Sequence, residues 1–379
     1  MDLSEIRKRI DEIDGKLLPL FLERMNLSAE VAAYKKAHNL PVLNKGRERE
    51  ILDRVMKESG DMEQFSHRLY TTIFELSRAY QETLNTESSE LSKNIEEALK
   101  NSPDMFPQSA TVACQGVEGA YSQMAADKIF PRGNLMFFKT FEAVFDAVES
   151  GLCRFGVVPI ENSSNGSVRA TYDLLRTKNV KIVKSERLCI RHELLAKPGT
   201  KLEDIKEIRS HEQALGQCSE FLKTLGADVK ITAVANTAMA AQSVANNDDN
   251  TVAAIASHSG CEIYGLVPIK QNIQNSDNNY TRFICISKNT EIYPGANRIS
   301  LVLECEHRPG TLYQILAKLA ALEIDILKLE SCPIVGHDFE FMFFFEISAN
   351  VKDPKTISML ESLKRDCRKL IFLGNYSEN

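Results

Sequence analysis

Over the first 37 residues Ile6, Ile10, Ile13, Leu17, Leu20, Leu27, Val31 and Tyr34 recur at steps of four and three. That spacing predicts one long helix with a single apolar face, ending near Ala37 ahead of Pro41. Ser4 is the expected N-cap, with Glu5 in the first turn. Position 24 falls on the same stripe and is arginine. A cation there needs an anionic partner, and no other stripe position carries a carboxylate. The partner is therefore another segment, another chain or a ligand, unless the side chain snorkels at a bundle edge. Lys35 follows 11 residues later, about 20° from Arg24 around the axis and roughly 16 Å along it. Gly15 and Pro19 predict a kink.

A short second helix is expected from about Arg47 and a third from Gln64 to Leu84, with Leu69, Ile73, Leu76 and Tyr80 on one face. One long and two shorter helices cannot close a large core alone, which predicts a dimer with the long helices side by side. From Asn85 to Gln108 the chain turns polar and reads as a linker, with one helical turn at Ile95 to Leu99. Beyond it, β-rich runs alternate with helical ones: Thr111 to Cys114, Phe155 to Pro159, Val180 to Val183, Val229 to Thr232, Val252 to Ala256 and Phe283 to Ser287. This is α/β architecture, two lobes around a cleft. The last stretch reads strand, helix, strand, strand, helix, strand, from Ile299 to Leu373. That order is ferredoxin-like, an α+β unit. The chain is thus expected to be multi-domain: all-α over 1–90, linker over 91–108, α/β over 109–288 and α+β over 297–376.

A chain of 379 residues, 43% of them hydrophobic, has room for two or three cores. A net charge of −6 without a dense basic patch argues against nucleic acid. The nine cysteines form no CxxC pair and the seven histidines no HExxH, so no metal is implied and reduced thiols are expected. With no apolar run long enough for a signal or membrane span, the cytosol is the expected compartment.

Chemistry concentrates in three places. The helical segment carries Arg7, Arg24, Lys35, Asn44, Arg47, Glu48, Ser77 and Gln81. Ser77 and Gln81 share a helix face, whereas Arg7 sits 17 residues before Arg24, about 100° off its face, and reaches the same ligand more easily from a partner chain. In the middle, Gly116 and Gly119 to Ser122 form a turn opening a helix, a setting suited to an anion or simply to a tight turn. Pro159 to Ser163 end a strand and Asn279 to Phe283 open another, with Ser210, His211, Gln213 and Gln217 between. In the last unit Arg308 to Leu312 make a tight turn into a helix, and Leu329 to Pro333 close a strand.

Taken together, these residues resemble three families in succession. The helical segment is similar to the chorismate mutase domain fused to prephenate dehydratase. The resemblance implies substrate-carboxylate contacts at Arg7 and Arg24, ether contacts at Lys35 and Gln81, hydroxyl contacts at Arg47 and Glu48, and a further pocket position at Ser77. Asn44 stands where relatives often have aspartate. The middle strings resemble prephenate dehydratase, which implies a catalytic Thr281 supported by Glu161, Asn162, Ser210 and Gln217, with Ser163 beside the substrate. The last unit resembles an amino-acid-sensing ACT domain. It implies phenylalanine as effector at Pro309, Gly310, Thr311, Leu312, Glu330 and Ser331, with Cys332 in place of the usual arginine. The implied protein is a homo-oligomer, at least a homodimer, that converts chorismate to prephenate and prephenate to phenylpyruvate without metal or cofactor. An arogenate-preferring dehydratase and a non-catalytic amino-acid sensor are the alternatives.

Overall fold

The computed structural model describes every residue except 1, 39, 85–88, 227, 306–309, 334–340 and 379, together with the side chains of 82 and 83. Four helices open the chain: α1 (Leu3–Ala37), α2 (Lys45–Glu58), α3 (Glu63–Leu84) and α4 (Glu90–Asn101). The N-cap of α1 is Asp2 rather than Ser4: its carboxylate accepts from Glu5 N at 2.8 Å while Glu5 accepts from Asp2 N at 3.1 Å. The helix runs through Pro19 as a single element, so the expected kink does not divide it.

The predicted linker is largely helix, because Ile95 and Ala98 on α4 are spaced as a buried stripe. Its serines are structural rather than linker-like. Ser89 and Ser92 both donate to Glu361, a carboxylate only 6% exposed.

The middle of the chain folds as β1 (Thr111–Gln115), α5 (Tyr121–Ile129), β2 (Asn134–Phe138), α6 (Phe141–Glu149), β3 (Phe155–Asn162), β4 (Gly166–Ser167), α7 (Arg169–Thr177) and β5 (Lys181–Cys189). It continues with β6 (Glu193–Ala196), β7 (Glu207–Ser210), α8 (Glu212–Gln217), α9 (Ser219–Lys223), β8 (Lys230–Ala233), α10 (Thr237–Ala245), β9 (Val252–Ala256), α11 (Ser259–Tyr264), β10 (Val267–Lys270) and β11 (Tyr280–Ser287). The C-terminal part follows as β12 (Arg298–Glu304), α12 (Thr311–Ala321), β13 (Ile326–Pro333), β14 (Phe341–Ser348), α13 (Pro354–Asp366) and β15 (Lys369–Tyr376), the strand and helix order expected there.

Two compact units emerge, Met1–Glu96 with Val302–Leu370, and Glu97–Leu301 with Ile371–Asn379. In the first, α3 packs against α1, α2, α12 and α13. The apolar stripe of α1 is left open: Ile6, Ile10, Ile13, Leu17, Leu20, Leu27, Val31 and Tyr34 are all exposed, and only Ser28 and Ala32 are buried. The C-terminal strands are ordered β13-β14-β12-β15, which leaves β13 at an edge.

The second unit has two sheets. One runs β2-β1-β3-β11-β5 with β4 on β3, the other β10-β6-β9-β7-β8. The chain passes between them twice, after β5 and before β11, and the lobes enclose a cleft at these crossings. β3 and β11 lie antiparallel, with Asn162 opposite Thr281, Glu161 opposite Arg282, and a bulge after Arg282. Gly156 lets α6 close onto β3, since a Cβ there would lie 2.9 Å from Val144 Cγ1 and 3.0 Å from Val148 Cγ2. No helix among the described residues is long and apolar enough to cross a membrane.

Gly156→Ala therefore forces α6 off the strand that ends in Asn162 and should destabilise the fold by about 1–3 kcal/mol. Thermal unfolding checks this, and an unchanged midpoint contradicts the packing argument.

Candidate active sites

In the helical unit Arg24 turns inward. Its Nη1 donates to Ser77 Oγ at 2.6 Å, and its guanidinium carbon lies 5.5 Å from the Phe74 ring centroid. Burial lowers its pKa, opposed by Tyr70 and Glu48. Lys35 Nζ donates to Val42 O at 2.5 Å, and burial lowers its pKa as well, opposed by Glu48. Glu48 is already held by Arg78. Two partly desolvated cations thus share one carboxylate that a third cation engages, which leaves an excess of positive potential. One turn beyond Ser77, Gln81 is 7% exposed and its Oε1 is buried with no hydrogen-bond partner among the described residues. An amide oxygen left this way costs free energy until a donor enters.

Other members of the predicted set do different work. Asn44 caps α2, accepting from Arg47 N at 3.1 Å. Arg47 pairs with Glu50 at 2.7 Å on an exposed helix face, where the i, i+3 spacing brings the two side chains together. Arg7 is exposed on α1, about 25 Å along the axis from Arg24, too far to meet the same small ligand within one chain. Arg78 and Phe74 were not foreseen, and only the packing of α3 identifies them.

The cleft of the second unit has a volume of about 490 Å³. Thr281, Asn162, Gln217, His192 and Tyr121 line it. Asn162 Nδ2 donates to Thr281 Oγ1 at 2.9 Å and to Asn279 Oδ1 at 2.9 Å. Asn279 Nδ2 in turn donates to Gln217 Oε1 at 3.0 Å. The same Gln217 oxygen lies 2.9 Å from His192 Nε2, which must then carry the imidazole proton. His192 Nδ1 faces Tyr121 Oη at 3.3 Å, and that hydroxyl donates to Arg191 O at 2.5 Å. Burial lowers the His192 pKa against the Gln217 contact, and burial raises that of Tyr121, so both stay neutral.

Because Asn162 occupies a lone pair of Oγ1, the Thr281 proton is left for whatever fills the cleft. No lysine, arginine, aspartate or glutamate lines it among the described residues. Favourable potential for an anion comes instead from the N-termini of α5 and α10, whose Tyr121, Ser122 and Thr237 border the cavity.

Three predicted residues lie elsewhere. Glu161 points to the opposite face of β3, where its carboxylate meets Arg282 at 3.1 Å, as the alternation of strand side chains requires. Ser210 is fully buried at the end of β7 and donates to Ile255 O at 2.6 Å. Ser163 clamps the neighbouring strand, donating to Asn278 O at 3.0 Å and accepting from Tyr280 N at 2.9 Å. Sequence alone gives His192 no role and names Asn279 only as the start of the Asn279–Phe283 string. Asn279 stands directly before the Tyr280–Thr281 pair, a usable signal, whereas nothing around His192 marks it.

For the effector set, Gly310 has φ +88° and precedes α12, Thr311 is buried and Leu312 follows in that helix. Glu330, 3.5 Å from Lys328, and Ser331 lie on β13. Pro309, with Arg308, lies outside the described residues.

A cationic cluster among the helices and a neutral, amide-rich cleft in one chain have the character of a two-site enzyme acting on small anions. The comparisons agree: residues 6–82 match the family model for chorismate mutase type II, and residues 112–291 that for prephenate dehydratase. The whole chain is 31% identical over 386 residues to the bifunctional chorismate mutase/prephenate dehydratase of Escherichia coli K12, covering 97% of it. It belongs to the family of bifunctional chorismate mutase/prephenate dehydratases. Arogenate dehydratase/prephenate dehydratase 2 of Arabidopsis thaliana is 38% identical over 277 residues, 70% of this chain and 72% of that one. The prephenate dehydratase of Arthrobacter aurescens, solved with L-Phe, superposes with a TM-score of 0.65 at 27% identity, over 70% of this chain and 89% of that one.

The lowered His192 pKa has a signed consequence. As pH falls through about 6.5 the unfolded chain binds a proton before the folded one does, so stability drops there. The acid limb of dehydratase kcat/KM should lie below that value. A limb at or above 6.5 would contradict a buried neutral imidazole.

Proposed function

We propose that the helical unit rearranges chorismate to prephenate and that the cleft converts prephenate to phenylpyruvate. The observation that carries the second step is the Asn162 amide seated on Thr281 Oγ1. Loss of carbon dioxide pushes an electron pair into the ring, the ring hydroxyl leaves, and aromatisation drives the step. Thr281 donates a hydrogen bond to the departing oxygen. Its hydroxyl is too weak an acid to act alone, so one proton is drawn from the connected network and solvent, and the products are phenylpyruvate, carbon dioxide and water.

The first step is a unimolecular rearrangement that needs the reactive conformer held and charge on the breaking ether oxygen stabilised. Arg24 and Lys35 supply the cations and Gln81 a neutral amide. A barrier reduction of roughly 8 kcal/mol, the lower end of enzymatic effects, suffices.

A homodimer fits the open stripe of α1, and Arg7 of a second copy then completes each pocket. The C-terminal βαββαβ unit is read as a ferredoxin-like ACT domain. Edge strand β13 is suited to pairing with a second copy, and phenylalanine binds near Gly310, Thr311, Leu312, Glu330 and Ser331 to inhibit the dehydratase. The L-Phe in the Arthrobacter aurescens relative supports that effector. Prephenate is favoured over arogenate because, among the described residues, no carboxylate lines the cleft to hold an amine. This reading places the enzyme in the cytoplasm, where the thiols of its nine cysteines stay reduced.

Thr281→Ala should cut phenylpyruvate formation by at least about 100-fold while chorismate is still consumed. Arg24→Ala should do the reverse. Product analysis from chorismate and from prephenate checks both, and joint loss of the two activities in either variant contradicts separate sites.

A further inference from the structure

In the second lobe, beside the cleft but outside its lining, three donors of different chemistry converge. The Glu193 carboxylate, the His258 imidazole and the Cys261 thiol place their ligand atoms within 4.8 Å of one another. His258 Nδ1 is 2.9 Å from Glu193 Oε2. Glu193 opens β6 and is 8% exposed, whereas the His258 side chain is 57% exposed and leaves a path from solvent. His258 precedes α11 and Cys261 lies in its first turn, so the i, i+3 spacing brings imidazole and thiol to one face. Glu193 comes from 65 residues earlier, which is why neither the HExxH nor the CxxC pattern could reveal the group.

We propose that Glu193, His258 and Cys261 form a binding site for a divalent transition metal, zinc foremost, with water as fourth ligand. One oxygen, one nitrogen and one sulfur donor suit a borderline-soft cation without geometric preference. Tetrahedral zinc sets its ligand atoms about 3.3 to 3.5 Å apart, so donors already within 4.8 Å of one another need only small side-chain movements to close around it.

The site sits where a metal would be felt by the catalytic cleft. Glu193 directly follows His192. α11 carries Tyr264, whose hydroxyl donates to Glu118 O at 2.6 Å, and just before it Ser257 Oγ lies 3.3 Å from Gly119 O. Glu118 and Gly119 belong to the turn that leads into Tyr121. Bound zinc therefore ties α11 to β6 and stiffens both walls next to His192 and Tyr121.

The test uses the full-length protein, stripped of metal with a chelator and titrated with Co²⁺ and with Zn²⁺. One equivalent of either should bind, cobalt should develop a thiolate-to-metal absorption band, and zinc at about a hundredfold excess over its Kd should raise the thermal midpoint by roughly 5 °C. Cys261→Ser should abolish the band and weaken zinc by at least about 100-fold, and His258→Ala should weaken zinc while keeping the band. Absence of stoichiometric binding overturns the proposal, as does an unchanged band in Cys261→Ser. Should that variant not fold, zinc X-ray absorption on the unaltered protein decides: a shell with one sulfur at about 2.3 Å supports the site, and an all-oxygen and nitrogen shell overturns it.

Discussion

The hydrogen bond from Asn162 Nδ2 to Thr281 Oγ1 organises the dehydratase cleft. It exists because β3 and β11 run antiparallel in a register that sets the two residues opposite each other. The same alternation turns Glu161 and Arg282 away to form an ion pair on the reverse face. From Asn162 the chain of amides passes through Asn279 and Gln217 to His192, linking the end of β3 and the two crossovers to α8 of the second lobe. Asn162 donates to both Thr281 and Asn279, Asn279 donates to Gln217 Oε1, and that same oxygen also accepts from His192, so the amide sequence runs toward Gln217 from both ends.

The two candidate sites use opposite electrostatics. The helical pocket keeps cations partly out of water, Arg24 on Ser77 and Lys35 on a backbone carbonyl, with Glu48 engaged by Arg78. A rearranging dianion needs charge of that kind, held in place before it arrives. The dehydratase cleft holds no formal charge from lysine, arginine or carboxylate among its described lining residues, and meets its anion with helix N-termini and neutral donors. In the mechanism proposed above, a hydroxyl leaving in such surroundings would take its hydrogen bond from Thr281 without competing ion pairs.

Legibility in the sequence followed the range of the interaction. The period of α1 and the cation at position 24 could be read because both are local, and the strands Thr111–Gln115 and Val252–Ala256 announce themselves by composition. The helix Glu90–Asn101 reads as linker because Ser89 and Ser92 look like linker residues until Glu361, far along the chain, accepts from them. Glu161 and Ser210 stand beside true cleft residues, yet one points to the wrong face of a strand and the other is spent on Ile255 O. His192 lies where the chain crosses between lobes, and no spacing signals a crossover.

A double-mutant cycle on dehydratase kcat/KM with Asn162→Ala, Thr281→Val and their combination addresses the central hydrogen bond directly. If Asn162 acts by aiming the Thr281 proton, the double variant should be about as impaired as Thr281→Val alone. Losses that simply multiply would contradict the account and make the two residues independent.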